Sequence, residues 1–164
     1  MAERGLTDGD VGLAVSIAAV GSLPLAFLAG KLLDRVGRKP GAAIIFVAAS
    51  LGTLGAYTLS GRAPLTASLI LAIFGATAVL TVLNAFTAEL FPTEERASAF
   101  AWCNNLLGRI GYVLSPMAVG WAAGQFGWSV AVGGTALFPI AALALVYAWF
   151  PETRGKDLEA IAER

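Results

Sequence analysis

Between Ala97 and Phe150 the chain carries a single charged residue, Arg109. Asn105 lies four residues before it and Tyr112 three after, which sets the three on one helical face as a polar stripe. A guanidinium at the centre of a bilayer costs roughly 2.5 to 3.5 kcal/mol to insert, so it faces a cavity or a partner. Two chemistries suit it there: attraction of an anionic group, or coupling to a carboxylate that carries a proton. The structural alternative is an arginine bonded to carbonyls at a helix interface. A second polar face joins Thr77, Thr81 and Asn84, spaced four and three residues apart. Threonines in apolar helices often bond back to their own backbone, so Asn84 is a stronger candidate than Thr81.

Other chemistries find no footing. With no histidine and one cysteine, Cys103, zinc sites and disulfide frameworks are excluded, and neither a metal nor a cofactor is expected. Cys103 falls inside a predicted helix and is expected simply to pack. No nucleophile and base pair, metal-ligand cluster or phosphate-cradling glycine loop is present, so the chain does not read as an enzyme. Nothing supports nucleic-acid binding.

The elements that must position these residues are membrane helices. A bilayer core of roughly 30 Å takes about 20 apolar helical residues per crossing. Five predicted helices satisfy this, at 11–30, 41–61, 64–88, 97–123 and 128–150, the last two divided at Gly124-Gln125-Phe126-Gly127. Charged loops at 31–40 and 89–96 and a polar tail at 151–164 separate or follow them, and Thr93 is placed to cap the fourth helix. A composition of 57% hydrophobic and 13% charged residues is far from that of a soluble domain. Continuous apolar runs also disfavour a β-barrel, whose strands alternate. Met1 to Asp10 is polar and the first apolar run is too long for a cleaved leader, so no signal peptide is expected. The fold class is all-α, a multi-spanning membrane helical bundle. Pro24, Pro116 and Pro139 lie inside predicted helices and are expected to bend them, while Gly120 and Gly124 give a GxxxG spacing suited to helix packing.

Orientation follows from lysine and arginine alone, because acidic residues contribute little to topology. Lys31, Arg35, Arg38, Lys39, Arg96, Arg154, Lys156 and Arg164 fall on one side, and only Arg4 and Arg62 on the other. The first side is therefore expected in the cytoplasm, with the N-terminus outside, the C-terminus cytoplasmic and the protein in the cytoplasmic (inner) membrane.

Gly30 to Pro40 reads GKLLDRVGRKP and resembles the cytoplasmic signature loop of the major facilitator superfamily, G-x-L-x-D-R-x-G-R-R/K, at every defining position. AELFPTEERA resembles that family's E-x-F-P-T-x-x-R element after the tenth helix, and PETRGKDLEAI its PETKG-x-x-LEE tail after the twelfth. Order and spacing fit as well. The resemblance implies a partial major facilitator fold, helices eight to twelve of a twelve-helix secondary transporter. The register of helices two to six fits less well, since the arginine usual in the fourth helix of that half is absent from Ala63 to Ala88.

Within the superfamily the PTxxR and PETxG elements are closest to the sugar porter and metabolite:proton symporter groups. The tenth-helix stretch reads IFGATAVLTVLNAF where sugar porters carry G-P-x-P-W, which favours an organic acid or other metabolite over a sugar. The resemblance implies a small-molecule substrate, coupling to protons by symport, membrane lipid around the bundle, and a missing N-terminal half or a second chain to complete the site. Arg109, Asn105, Tyr112, Asn84 and Thr81 would then line the substrate pathway. Asp34, Arg35, Arg38, Glu89, Arg96 and Glu152 would form a cytoplasmic gate network, with Gly30 and Gly37 permitting the tight loop. The alternative is a non-transporting five-helix interaction protein, or a gene remnant, whose loop charges only fix topology.

Overall fold

A computed structural model describes residues 7–154. Arg4, Lys156, Arg164 and the tail from 155 to 164, which carry part of the charge asymmetry and of the PETRGKDLEAI likeness, lie outside the described residues. Five helical rods follow one another. The first three are α1 (Asp8–Val36), α2 (Arg38–Thr58) and α3 (Arg62–Leu90). In the fourth, α4 (Arg96–Phe100) passes through a π-helical stretch (Ala101–Leu107) into α5 (Gly108–Phe126), and the fifth joins α6 (Trp128–Gly134) to α7 (Leu137–Trp149). By length and composition α1, α2, α3 and the rod Trp128–Trp149 can each cross a membrane. The protein is an all-α integral membrane bundle.

Helix ends differ from the sequence reading at the charged segments, and each difference has a local cause. The expected loop 31–40 is helical on both sides of Gly37, because lysine, arginine and leucine are good helix formers and only Gly37, at φ +118°, breaks the ladder. Gly30 therefore sits within α1 and turns no corner. Glu89 belongs to α3, not to the loop 89–96, which shrinks to a turn before Arg96. Thr93 caps nothing: the N–H groups of Glu95 and Arg96 close instead on the Pro92 carbonyl, and the helix starts at Arg96. The fifth rod is interrupted at Thr135–Ala136. Pro139 has no N–H to close on Thr135 four residues back, and the neighbouring Ala136 carbonyl accepts the Ser50 hydroxyl at 2.7 Å.

Packing centres on α2, which contacts α1, α3, α6 and α7. Leu33 of α1, Ile45 and Phe46 of α2, Phe74, Val82 and Phe86 of α3 and Val146 of α7 form the main core. Small residues set the α2–α3 distance, since a Cβ on Gly75 would overlap Ala49 and one on Gly52 the backbone at Leu71 and Ala72. By contrast Gly120 and Gly124, the expected packing pair, have nothing near them among the described residues. Their helix α5 buries Ala123 alone. At the far end of the bundle Arg62 pairs with Asp10 at 2.8 Å, tying the start of α3 to the capping box Thr7–Asp10 that opens α1.

Candidate functional site

A helix beginning at Arg38 leaves its first N–H groups without intrahelical partners. Gly37 has no side chain to offer them, and Glu152 supplies one from 114 residues away. Its carboxylate accepts from the N–H of Arg38 at 2.8 Å and of Lys39 at 2.9 Å, and from its near neighbour Arg154 at 3.1 Å. An anion at a helix N-terminus also meets the positive end of the helix dipole. Burial pushes the Glu152 carboxyl up, but donation from Lys39, Arg38, Arg154 and Thr153 outweighs it and holds the group below the ordinary glutamate value. A Cβ on Gly37 would stand 3.2 Å from Glu152 Oε2, so the glycine serves both the turn and the close approach.

The side chain of Arg38 points the other way and bridges two acids. Its Nη1 donates to Asp34 Oδ1 at 2.6 Å, and its Nε donates to Glu89 Oε1 at 2.8 Å, with Nη2 on the same oxygen. Glu89 is only 10% exposed at its side chain, and its second oxygen accepts the Thr153 hydroxyl. A buried carboxylate persists only when paired and hydrogen-bonded, and here both oxygens have partners. Beside this cluster the Lys39 ammonium lies 5.6 Å from the Tyr147 ring centroid and donates to the Tyr147 carbonyl at 3.3 Å. The end of α1, the start of α2, the end of α3 and the segment after α7 are thus bound in one charged knot.

Of the expected gate residues, Asp34, Gly37, Arg38, Glu89 and Glu152 meet here. Arg35 does not: it is exposed and pairs with no carboxylate among the described residues, since one residue beyond Asp34 it points about 100° around the helix. Arg96 also stands apart, reaching the Phe91 carbonyl at 3.5 Å while its buried Nε has no partner among the described residues. Gly30 contributes no close approach. Thr153 was not among the expected residues, although the hydroxyl next to the acid in Pro151-Glu152-Thr153 was the available signal, and Lys39, expected only as a topology-setting charge, reaches Tyr147 beside the knot.

The polar stripe is partly assembled. Asn105 and Arg109 line one shallow groove with Leu106, Ile110, Val113 and Leu114. Tyr112 lies outside it and is 76% exposed. Asn84 joins the adjacent residue of the rod, accepting from Asn104 Nδ2 at 2.9 Å. Thr81 is exposed and its hydroxyl reaches only the Thr77 carbonyl of its own helix, at 3.5 Å. Cys103 does not simply pack. It is exposed, and with Phe86, Leu90, Asn104 and Phe150 it borders a cavity of about 390 Å³ between α3 and the π-helical stretch.

The sequence matches the Major Facilitator Superfamily over residues 1–164. It is 32% identical over 162 residues to a Cupriavidus pinatubonensis protein named "Probable 4-methylmuconolactone transporter", covering 98% of this chain and 38% of that one. It is 32% identical over 151 residues to a Bacillus subtilis protein named "Putative niacin/nicotinamide transporter NiaP", covering 88% and 36%. An Arabidopsis thaliana protein named "Organic cation/carnitine transporter 4" is 29% identical over 158 residues, covering 89% and 27%. The chain therefore spans between 27% and 38% of the length of these relatives.

Proposed function

The chain belongs to the major facilitator superfamily, and from that premise we propose that it supplies helices eight to twelve of a secondary transporter for a small organic solute, working by alternating access. The observation that carries the reading is the Arg38 bridge between Asp34 and Glu89, locked to the segment after α7 by Glu152 and Thr153. Such a knot joins four chain segments at one membrane face through charge-assisted bonds, and can break and reform as a unit when two halves rock about a central site. It acts as the gate at the cytoplasmic face, with the Asp10–Arg62 end outside, in the orientation that the lysine and arginine distribution favours.

The substrate path runs along the groove of Asn105 and Arg109. That groove lies on a rod with almost no buried surface, which suits a helix whose second wall comes from further helices, either an N-terminal half or a second chain. Arg109 faces a solute with a negative group or a carboxylate from that other half, and the latter gives a route for proton coupling. The relatives' names cover 4-methylmuconolactone, niacin or nicotinamide, and organic cations or carnitine, so they point to no single cargo. An organic acid or related metabolite is the substrate class proposed. Uptake by vesicles carrying the complete transporter, with Arg109→Ala and Arg38→Ala beside the wild type, tests the reading.

A further inference from the structure

The stretch Ala101–Leu107 is the one π-helical segment among the described residues. Its wider turn closes from the Gly108 N–H onto the Cys103 carbonyl, and such turns are rare and frequently sit at functional sites. Nothing local explains it: AWCNNLL contains no proline or glycine, and none of the seven residues is buried. What does reach it is a single amide. The bond from Asn104 Nδ2 to Asn84 Oδ1, 2.9 Å long, is the only side-chain hydrogen bond between this stretch and another helix among the described residues.

The consequence falls on the neighbouring positions. Asn105 follows Asn104 directly, and Arg109 lies just beyond the closing residue Gly108. A π turn holds about one residue more than an α turn, so relaxing it would rotate the chain beyond it by about 100° relative to α4. An amide that loses its partner in an apolar setting is left unsatisfied, which gives the pair a grip on the register.

We propose that Asn104 is a positioning residue: its bond to Asn84 holds the π register and thereby sets the direction in which the face shared by Asn105 and Arg109 points. Release of the bond lets the stretch relax and turns that face away, so α3 and the fourth rod communicate through one amide pair. The proposal rests on the reading of Arg109 as a substrate-path residue.

Cys103, exposed inside the same stretch, is a native reporter of it. The experiment measures the rate of its alkylation by N-ethylmaleimide, mapped to its own peptide, in vesicles carrying the complete transporter. Asn84→Ala and Asn104→Ala are each expected to change that rate threefold or more in the same direction, with no further change in the double variant. Asn84→Gln, which keeps an amide acceptor, is expected to stay within twofold of the wild type. Unchanged rates in both alanine variants, or independent effects that multiply in the double variant, would overturn the proposal. Uptake kinetics separate it from the reading beneath it. Asn104→Ala is expected to raise KM with little change in maximal rate, and to lose that effect in an Arg109→Ala background. Normal uptake by Arg109→Ala with alkylation still responsive to Asn104 would remove the substrate-path role alone, whereas unresponsive alkylation removes the positioning role whatever Arg109 does.

Discussion

The guanidinium of Arg38 reaches across 51 residues of sequence to Glu89, donating from Nε at 2.8 Å to a carboxylate that is 10% exposed. Removing one partner of a buried pair leaves the other charged and unsatisfied, at a cost of about 3 to 5 kcal/mol. Arg38→Ala is therefore expected to lower stability by about 3 kcal/mol or more, read from the midpoint of a denaturant titration in detergent. Arg38→Lys recovers only part of this, since a point charge cannot span Asp34 and Glu89 as a fork does. Arg35→Ala, three residues away and exposed, is expected to stay within about 0.5 kcal/mol of the wild type. Equal losses at the two arginines would contradict the geometry.

Acid should loosen the tail before it loosens the helices. The Glu152 carboxyl is held below its ordinary value of 4.5 by N–H donors at the start of α2, so its contribution is fully present above pH 4.5. It is lost as pH falls through the lower folded value. Stability measured between pH 6 and pH 3 should drop in the wild type, and Glu152→Gln should flatten that part of the curve while lowering the plateau. A wild-type curve that superimposes on the Gln variant would rule the cap out.

Two glycines of the signature segment should behave in opposite ways. Gly37, at φ +118° with Glu152 Oε2 3.2 Å from a built Cβ, is expected to lose about 1 to 3 kcal/mol on change to alanine. Gly30 lies inside α1 with open space around it, and Gly30→Ala is expected to be neutral or to stabilise by up to about 1 kcal/mol. Thermal unfolding of the two variants side by side decides it.

The α2–α3 crossing gives a third contrast. Gly75→Val forces the helices apart where Ala49 touches, and an overpacked core typically costs about 1 to 3 kcal/mol. Gly120→Val, on α5, meets nothing among the described residues and should leave the stability of this bundle unchanged. Destabilisation of the bundle by both would mean that α5 packs more tightly than it does here.

How far these features were legible in the sequence varies with the kind of information each needs. The four rods long and apolar enough to cross a membrane were legible because length and apolarity alone decide them, and the meeting of Asp34, Arg38, Glu89 and Glu152 was legible through the motifs that contain them. Helix phase was harder. Arg35 and Asp34 are adjacent in sequence but about 100° apart on the helix, so only one meets Arg38. The charged segment after Gly30 looked like a loop because charge marks the membrane boundary, yet charge does not end a helix, and Gly37 alone does. The π stretch had no sequence signature, so the pairing of Asn84 with Asn104 depended on a register that a uniform 3.6-residue period could not supply, whereas Tyr112, three residues after Arg109 in a regular α-helix, is turned about 60° from it and falls outside the groove.

The most direct test of the whole account is uptake. Vesicles carrying the complete transporter would be offered labelled organic acids, lactones, pyridine carboxamides and quaternary ammonium ions under an inward proton gradient. The expected result is gradient-driven accumulation of one class, reduced tenfold or more by Arg109→Ala, and abolished by Arg38→Ala because the gate no longer closes. Properly inserted protein that accumulates none of these solutes, or accumulation indifferent to both substitutions, would contradict it.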